Sequence, residues 1–294
     1  MKIARILHES CPFPVVALER DGALYDVAEL DLRFATPRAR GLLGSASDFF
    51  SRVIALGGVG LDELDQRLAA GYRPTEARIA PGSFLWLPPC DPDRAMLVHV
   101  ARDPAGEHCV RLGNARAILG HEAAAPFPGG ATLPELELGV AAILGDDLRR
   151  ASVDEAHRAI LGAAIVNDWA ARDLEARGLG ALQCRDFATQ LGPVLVTRSE
   201  LESAAILRTQ IRVGGVVRAS GALANPLVEL AEAVACASQH LELRAGDIVT
   251  LAVPLARREP VDYGASVDLL IERLGKLAGS AVRSPPFAGR PRWR

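Results

Sequence analysis

The segment Pro134–Gly145 constrains this chain most, because it is an apolar run interrupted by only two acidic residues. Its β-branched residues favour a strand that ends at Gly145. Successive side chains of a strand point to opposite faces, so Glu135 and Glu137 would share one face. Two neighbouring carboxylates in an apolar strand repel each other unless a cation lies between them, and a hard divalent ion is the simplest such cation. The alternative is that both glutamates face water.

The composition narrows the class of protein. A chain of 294 residues with 49% hydrophobic residues can form one large domain or two unequal ones. A formal net charge of -3 gives no electrostatic basis for binding nucleic acid. No segment approaches the roughly 20 apolar residues of a membrane span, and no signal peptide is recognisable. The five cysteines are dispersed, which favours reduced thiols in a cytoplasmic protein over a zinc site or disulfide framework.

The first half of the chain contains strand, helix and loop signals. Short apolar runs around Asp21-Gly22 predict a hairpin within a β-meander at the N-terminus. The prolines near residue 88 predict a boundary between a small N-terminal domain, 1–88, and a second domain, 89–294. A strand is predicted at 96–100, in which His99 is interpreted as a core or surface residue. The polar segment 102–113 is predicted to be a loop.

Further elements are predicted from the spacing of apolar residues and from turn residues. An apolar run at 163–166 should deliver Asn167, Asp168 and Trp169 to the end of a strand. The remaining predictions are helices at 45–69, 153–163 and 226–241, a hairpin at 206–218, strands at 248–251 and 267–271, and a disordered C-terminal end.

The segment Ile165–Asp173 reads IVNDWAARD and resembles the hallmark of the fumarylacetoacetate hydrolase superfamily. That hallmark is an Asn-Asp-x-Ser/Ala-Ala-Arg-Asp run downstream of a Glu-x-Glu strand, and both features occur here in order. Phe187, Gly192-Pro193 and the turn Leu243–Asp247 also match, so that the likeness covers residues 90–275. The resemblance implies a β-rich α+β fold, a mixed β-roll preceded by a small N-terminal α/β domain, that usually forms a homodimer.

The same resemblance implies a metal site. By motif match, Glu135, Glu137 and Asp168 would be ligands of Mg²⁺, or of Mn²⁺ or Ca²⁺. Three carboxylates supply hard oxygen atoms and leave positions for water and a bidentate oxo acid. Arg172 matches the arginine of the motif, whose planar fork suits a substrate carboxylate, but a structural salt bridge with Asp173 is equally compatible with the sequence.

Three positions depart from the family pattern. Arg185 stands where the family usually has a lysine, and an arginine cannot act as a deprotonated base. The turn usually written Thr-Gly-Thr-Pro reads Leu251–Pro254, so Val253 replaces the threonine hydroxyl that would meet the substrate carboxylate. Glu175 replaces a frequent glutamine. These departures change how a substrate is bound without touching the three carboxylates.

A fourth departure concerns the catalytic histidine. The family's Asn-Tyr-x-x-His signature before the Glu-x-Glu strand is absent. His108 is the nearest candidate for a general base, with Glu107 to orient it, unless His108 is simply a loop histidine.

The residues leave three hypotheses for function. The first is a metal-dependent hydrolase that cleaves a carbon–carbon bond in a small diketo or oxo acid. The second is a decarboxylase or isomerase that uses the same site, because both need the same enolate. The third is a paralogue that binds its ligand without turnover, which the missing histidine signature and Val253 suggest.

Overall fold

Strands dominate the computed structural model, which describes residues 1–9, 13–30, 59–102, 105–253 and 259–284. The strands are β1 (Lys2–His8), β2 (Pro14–Arg20), β3 (Ala23–Asp26), β4 (Arg78–Ile79), β5 (Phe84–Leu87), β6 (Leu97–Arg102), β7 (His108–Gly113), β8 (Ile118–Leu119), β9 (Ala124–Phe127), β10 (Pro134–Leu136), β11 (Leu138–Leu144), β12 (Ile160–Asp168), β13 (Ala170–Ala171), β14 (Thr189–Thr197), β15 (Ile206–Val213), β16 (Val216–Ala224), β17 (Ile248–Ala252), β18 (Glu259–Pro260), β19 (Ser266–Ile271) and β20 (Gly275–Arg283). The α-helices are α1 (Val27–Leu30), α2 (Val59–Ala69), α3 (Val153–Ala159), α4 (Arg172–Ala176), α5 (Ala181–Cys184), α6 (Arg198–Leu201) and α7 (Pro226–His240).

The largest sheet of the described residues contains 12 strands, with the main order β4-β3-β2-β1-β14-β12-β11-β17-β6-β7. The predicted N-terminal hairpin is confirmed, since β2 and β3 pair around Asp21 and Gly22, whose φ angles are 52° and 77°. Strand β1 runs antiparallel to β14, with Lys2 opposite Val196. The N-terminal strands therefore extend the same sheet that carries β11 and β12. The division at residue 88 stays a prediction.

Two smaller sheets and one long helix complete the roll. The sheets have the orders β16-β15-β19-β20-β9 and β13-β10-β18. Asn225 is the N-cap of helix α7, and its side chain accepts a hydrogen bond from the Leu227 N–H. Leu230 and Val234 of this helix are fully buried. The β-rich α+β class and the mixed β-roll predicted from the sequence are confirmed. No helix within the described ranges is long and apolar enough to cross a membrane.

The acidic strand predicted at 134–145 is two strands, because the backbone leaves one sheet and enters another at Glu137. Glu135 in β10 pairs with Ala170 and Pro260 in the three-stranded sheet. Strand β11 belongs to the large sheet, and Leu138 lies opposite Asn167. At the break, the Asn167 side chain accepts the hydrogen bond of the Glu137 N–H at 3.1 Å. The prediction that both glutamates lie on one continuous strand is wrong.

The loop predicted at 102–113 is wrong for its second half. Residues 108–113 form β7, which pairs antiparallel with β6 at the edge of the large sheet. The loop was predicted because charged and polar residues dominate 102–108, although Cys109, Val110 and Leu112 of this edge strand are apolar. The strand predicted at 267–271 is confirmed as β19, but it is not the last strand, because residues 275–283 form β20. The C-terminal end beyond residue 284 lies outside the described residues.

The helix predicted at 153–163 ends early, and the strand after it is longer than expected. Ser152 caps α3 in a capping box with Glu155, and the helix ends at Ala159. Strand β12 then runs from Ile160 to Asp168, which confirms that Asp168 ends a strand. Residues 59–69 of the first predicted helix are helical, and 45–58 lie outside the described residues.

A buried tryptophan follows the motif aspartate and connects it to the core. Trp169 has no exposed surface, and its ring packs edge-on against Phe127 at 5.7 Å between centroids. Its indole Nε1 donates a hydrogen bond of 2.8 Å to Gln190 Oε1. The Gln190 amide in turn donates to the Ala123 carbonyl at 3.0 Å. The residue beside Asp168 is therefore held by packing and by a satisfied polar network.

Candidate active site

Two acidic side chains are brought together by the pairing of β11 and β12. The Asp168 N–H donates a hydrogen bond of 3.0 Å to the Glu137 carbonyl, which fixes the two residues side by side. Their side chains are 13% and 20% exposed, respectively, and both line one cavity of about 290 Å³. The adjacency follows from the backbone, so it does not depend on either side chain's rotamer.

The cavity is small and combines charged with apolar walls. Its volume lies at the lower end of the range for small-molecule sites. It is lined by His99, Val100, Ala101, Cys109, Val110, Arg111, Glu137, Gly139, Val166, Asp168, Arg185, Thr250, Leu251 and Ala252. Such a space suits one small, charged molecule with a short apolar part.

Two guanidinium groups converge on the carboxylates. Arg185 Nη1 lies 2.9 Å from Glu137 Oε2 and 3.4 Å from Asp168 Oδ2. Arg111 Nη2 lies 3.4 Å from the same Asp168 oxygen, and Arg111 Nη1 donates to Asp186 Oδ1. This cluster contains three carboxylates, those of Glu137, Asp168 and Asp186, and two guanidiniums. Carboxyl groups therefore outnumber guanidiniums by one in this cluster.

The protonation of Asp168 reflects this balance. Burial raises the pKa of its carboxyl group, and the guanidiniums of Arg185 and Arg111 oppose that rise. Thr189 Oγ1 donates a hydrogen bond of 3.3 Å to its second oxygen, Oδ1. The ionised form of Asp168 thus depends on the cations around it.

A polar row crosses three neighbouring strands at the cavity wall. Thr250 in β17 lies opposite His99 in β6, and His99 lies opposite Arg111 in β7. His99 Nδ1 lies 2.9 Å from Thr250 Oγ1 and 3.9 Å from Asp168 Oδ2. Burial lowers the pKa of His99 to about 3, so this imidazole is neutral at physiological pH. Gly113 makes room for the ring, because a Cβ there would lie 2.4 Å from His99 Nε2.

A second ion pair extends the cluster away from the cavity. Glu175 Oε2 accepts a hydrogen bond of 2.8 Å from Arg172 Nη1, and Glu175 Oε1 lies 3.7 Å from Arg185 Nε. Arg185 Nη2 is buried and has no hydrogen-bond acceptor among the residues that the structure describes. Arg185 is therefore contacted by acidic groups on two sides and retains one unused donor group.

The structure gathers some of the predicted site residues and leaves others outside the cavity lining. Glu137, Asp168 and Arg185 line the cavity. Glu135 belongs to the neighbouring strand β10, and its Oε2 atom is buried. Arg172 is 47% exposed and pairs with Glu175, whereas Val253 is buried, with its N–H bonded to the Leu138 carbonyl. The roles predicted for these residues stay predictions.

His108 is the first residue of β7 and Glu107 precedes it, and neither residue lines the cavity. His108 precedes Arg111 by three residues, a distance of roughly 10 Å along a strand. An odd separation also places two side chains on opposite faces of a strand. The catalytic role predicted for His108, with Glu107 beside it, is not supported by this placement and stays a prediction.

Arg111 was not among the site residues predicted from the sequence, and His99 was interpreted only as a core or surface residue. Both line the cavity and face each other across β6 and β7. Cross-strand partners lie about 5 Å apart, so a hairpin prediction for 97–113 would have identified them as neighbours. The apolar residues Val98, Val100 and Val110 indicate two strands of such a hairpin. The polar residues between them favoured a loop prediction instead.

The donor set has the chemistry of a hard cation site. Glu137 and Asp168 offer carboxylate oxygens to one cavity, and carboxylates outnumber guanidiniums in the cluster. Within the described residues, no group of three or more His, Cys, Asp or Glu side chains is arranged closely enough to hold a metal ion. A metal site made of all three predicted carboxylates would therefore require the Glu135 side chain to approach the adjacent pair, Glu137 and Asp168, from β10.

Residues 93–282 match the model of the fumarylacetoacetate (FAA) hydrolase C-terminal domain, which is more than half of the chain. The chain belongs to the fumarylacetoacetate hydrolase family. Members of this family are enzymes, among them hydrolases, isomerases and tautomerases.

Individual relatives differ in the reaction that their names record. The chain is 29% identical over 147 residues to an oxaloacetate tautomerase of Bacillus subtilis, covering 47% of this chain and 49% of that protein. It is 30% identical over 148 residues to a maleylpyruvate hydrolase of Aquipseudomonas alcaligenes, covering 50% of each. The matches thus span about half the length of these relatives. A maleylpyruvate hydrolase from Sphingobium sp. SYK-6, solved with manganese(II) and pyruvate, superposes with a TM-score of 0.73 at 17% identity, over 97% of this chain and 100% of that one.

Proposed function

We propose that this protein is a divalent-metal-dependent hydrolase that cleaves a carbon–carbon bond in a small diketo or oxo acid. One observation carries the proposal: the carboxylates of Glu137 and Asp168 are adjacent and line the same small cavity as two guanidiniums. The excess of carboxylate in this cluster favours a bound cation. The guanidiniums of Arg111 and Arg185, which line the same cavity, favour an anionic substrate.

Each group of the site has a proposed task. Glu137 and Asp168, with Glu135 joining from β10, would hold the ion. When bound, a divalent ion such as Mg²⁺ or Mn²⁺ polarises a carbonyl and stabilises negative charge on its oxygen. Arg111 binds a carboxylate of the substrate through its free N–H groups, since its side chain remains 30% exposed. Val100, Val166 and Leu251 exclude water from the carbon chain of the substrate.

A second candidate is tautomerisation or isomerisation of an oxo acid on the same site, with decarboxylation as a related possibility. Its specific support is the position of His108, the general base predicted from the sequence. His108 is not part of the cavity lining and its separation from Arg111 places it on the other face of β7, so it is not positioned to activate a water molecule in the cavity. Keto–enol interconversion needs a stabilised enolate and a proton transfer, but no attacking water. An oxaloacetate tautomerase is also among the relatives of this chain.

Removal of divalent metal is expected to lower turnover at least about 100-fold, because the polarising charge is lost. The protein is treated with EDTA, desalted and assayed with an acylpyruvate and with oxaloacetate, before and after addition of Mg²⁺ or Mn²⁺. Activity should return with the metal. Full activity of the stripped protein would contradict the metal-dependent mechanism.

Product analysis by mass spectrometry separates the candidates in the same assay. Two carbon-containing fragments indicate hydrolysis, an isomer of unchanged mass indicates tautomerisation, and released CO₂ indicates decarboxylation. Saturable metal binding without turnover of either substrate would reject both enzyme proposals and support a binding paralogue.

Arg111→Met is expected to raise KM for an oxo dicarboxylate about 10- to 100-fold, because a charge-assisted hydrogen bond contributes about 1.5–3 kcal/mol. A monocarboxylic acylpyruvate should be affected less if Arg111 binds the second carboxylate. Steady-state kinetics with both substrates measure this difference.

Arg102→Met is the matched control for Arg111→Met. Arg102 lies on the neighbouring strand β6, is 49% exposed and pairs with Glu232 at 3.0 Å outside the cavity. Its loss should leave both KM values within about twofold. Equal losses for the two substrates in Arg111→Met would show that Arg111 only supports Asp168 and Asp186.

A further inference from the structure

One nitrogen atom of Arg185 contacts both of the adjacent carboxylates of the cavity. Its Nη1 is 2.9 Å from Glu137 Oε2 and 3.4 Å from Asp168 Oδ2. Ligand oxygens approach Mg²⁺ at about 2.1 Å, so an ion held by these two oxygens would lie within about 5 Å of the positively charged Nη1. Two cations at that distance repel each other and compete for the same carboxylates. The guanidinium cannot avoid the conflict by losing its proton, because arginine stays charged in proteins.

A second acidic partner for Arg185 lies on the other side of its guanidinium. Helix α4 carries Glu175, and Arg185 follows directly after α5. Glu175 Oε1 is 3.7 Å from Arg185 Nε, which is within ion-pair distance but longer than a hydrogen bond. These are also two of the positions at which this sequence departs from the family pattern, with arginine for lysine and glutamate for glutamine. Their side chains form one ion pair.

We propose that Arg185 is a resident cation that competes with the divalent metal for Glu137 and Asp168, and that Glu175 is a positioning residue that holds Arg185 once the metal has displaced it. This inference rests on the proposed metal-dependent function. According to this proposal, the metal affinity of the protein depends on competition between Arg185 and the metal for the two carboxylates. The ion pair Glu175–Arg185 would stabilise the metal-bound form. The family's lysine, a point charge on a flexible chain, would compete less.

The test measures the affinity for Mn²⁺ directly, by isothermal titration calorimetry of the EDTA-stripped protein. Arg185→Gln is expected to bind Mn²⁺ at least about tenfold more tightly than the unmodified chain, because the competing charge is gone. Glu175→Gln is expected to bind it about three- to tenfold more weakly. In the Arg185→Gln background, Glu175→Gln should have a clearly smaller effect, because a positioning residue acts through the group that it positions.

Two further variants secure the interpretation. Arg185→Lys keeps the charge and should give an intermediate affinity, which provides a second measurement if Arg185→Gln unfolds. Arg102→Gln removes an arginine outside the cavity and should leave the affinity within about twofold. Circular dichroism confirms that each variant is folded.

The outcomes separate this inference from the function on which it rests. Equal or weaker Mn²⁺ binding by both Arg185→Gln and Arg185→Lys, when the unmodified chain binds Mn²⁺, would overturn the competition and leave the proposed function standing. An equal effect of Glu175→Gln in both backgrounds would overturn the role of Glu175. Failure of every variant and of the unmodified chain to bind Mn²⁺ would overturn the inference and the proposed function together.

Discussion

Asp168→Asn is expected to lower kcat/KM by about 10³-fold or more and to weaken Mn²⁺ binding severely. Asp168 Oδ2 lies within 3.4 Å of both Arg111 and Arg185, so the substitution removes a carboxylate that contacts both guanidiniums. A neutral amide also provides one carbonyl oxygen in place of a carboxylate, and hard divalent ions prefer charged oxygen ligands. A loss of about 4 kcal/mol in transition-state stabilisation corresponds to this change in rate.

Steady-state kinetics and Mn²⁺ titration of the same preparation check this prediction. Asp154→Asn is a suitable control, because Asp154 is exposed in the first turn of α3, outside the cavity lining. The control should retain full activity and affinity. Turnover by Asp168→Asn within tenfold of the unmodified chain would reject the role assigned to Asp168.

Trp169→Ala is expected to reduce the free energy of unfolding by about 3–5 kcal/mol, the usual cost of deleting a buried aromatic side chain. Trp169 has no exposed surface and packs against Phe127. The substitution also leaves Gln190 Oε1 without the indole donor at 2.8 Å. Because Trp169 follows Asp168 directly, the loss of packing should also reduce turnover.

Trp169→Phe separates the hydrogen bond from the packing. Most of the aromatic ring remains, so the expected loss is about 1–3 kcal/mol, the cost of a buried acceptor without a donor. Urea denaturation followed by circular dichroism gives both values. A loss below about 1 kcal/mol in Trp169→Ala would show that the surrounding core fills the space left by the indole ring, and that Trp169 does not anchor this region.

Local sequence signals predicted many elements of the fold. The Asp21-Gly22 turn, helix α7 and the strand that ends at Asp168 are each specified by a few neighbouring residues. The break at Glu137 could not be predicted in this way. It arises because β11 pairs with β12 and β17, whereas β10 pairs with β13 and β18, the strands that follow them in the chain, and these pairings place β10 and β11 in two sheets.

The candidate site was predicted where a motif marks it and was missed elsewhere. Glu137, Asp168 and Arg185 were identified from the family pattern, and they line one cavity. Arg111 and His99 belong to no motif, and only the pairing of β6 with β7 brings them to the cavity wall. The contact of Arg185 with both carboxylates depends on side-chain conformation, which no sequence pattern specifies.

The pairing of β1 with β14 has a practical consequence for any shortened form of this protein. Thr189 in β14 contacts Asp168, while Val194 and Val196 of the same strand pair with Ala4 and Lys2. A fragment starting near residue 89 would present the backbone N–H and C=O groups of β14 to solvent over that stretch. Exposed strand edges recruit other chains, so such a fragment should self-associate, and residues 89–294 should be produced together with the N-terminal strands.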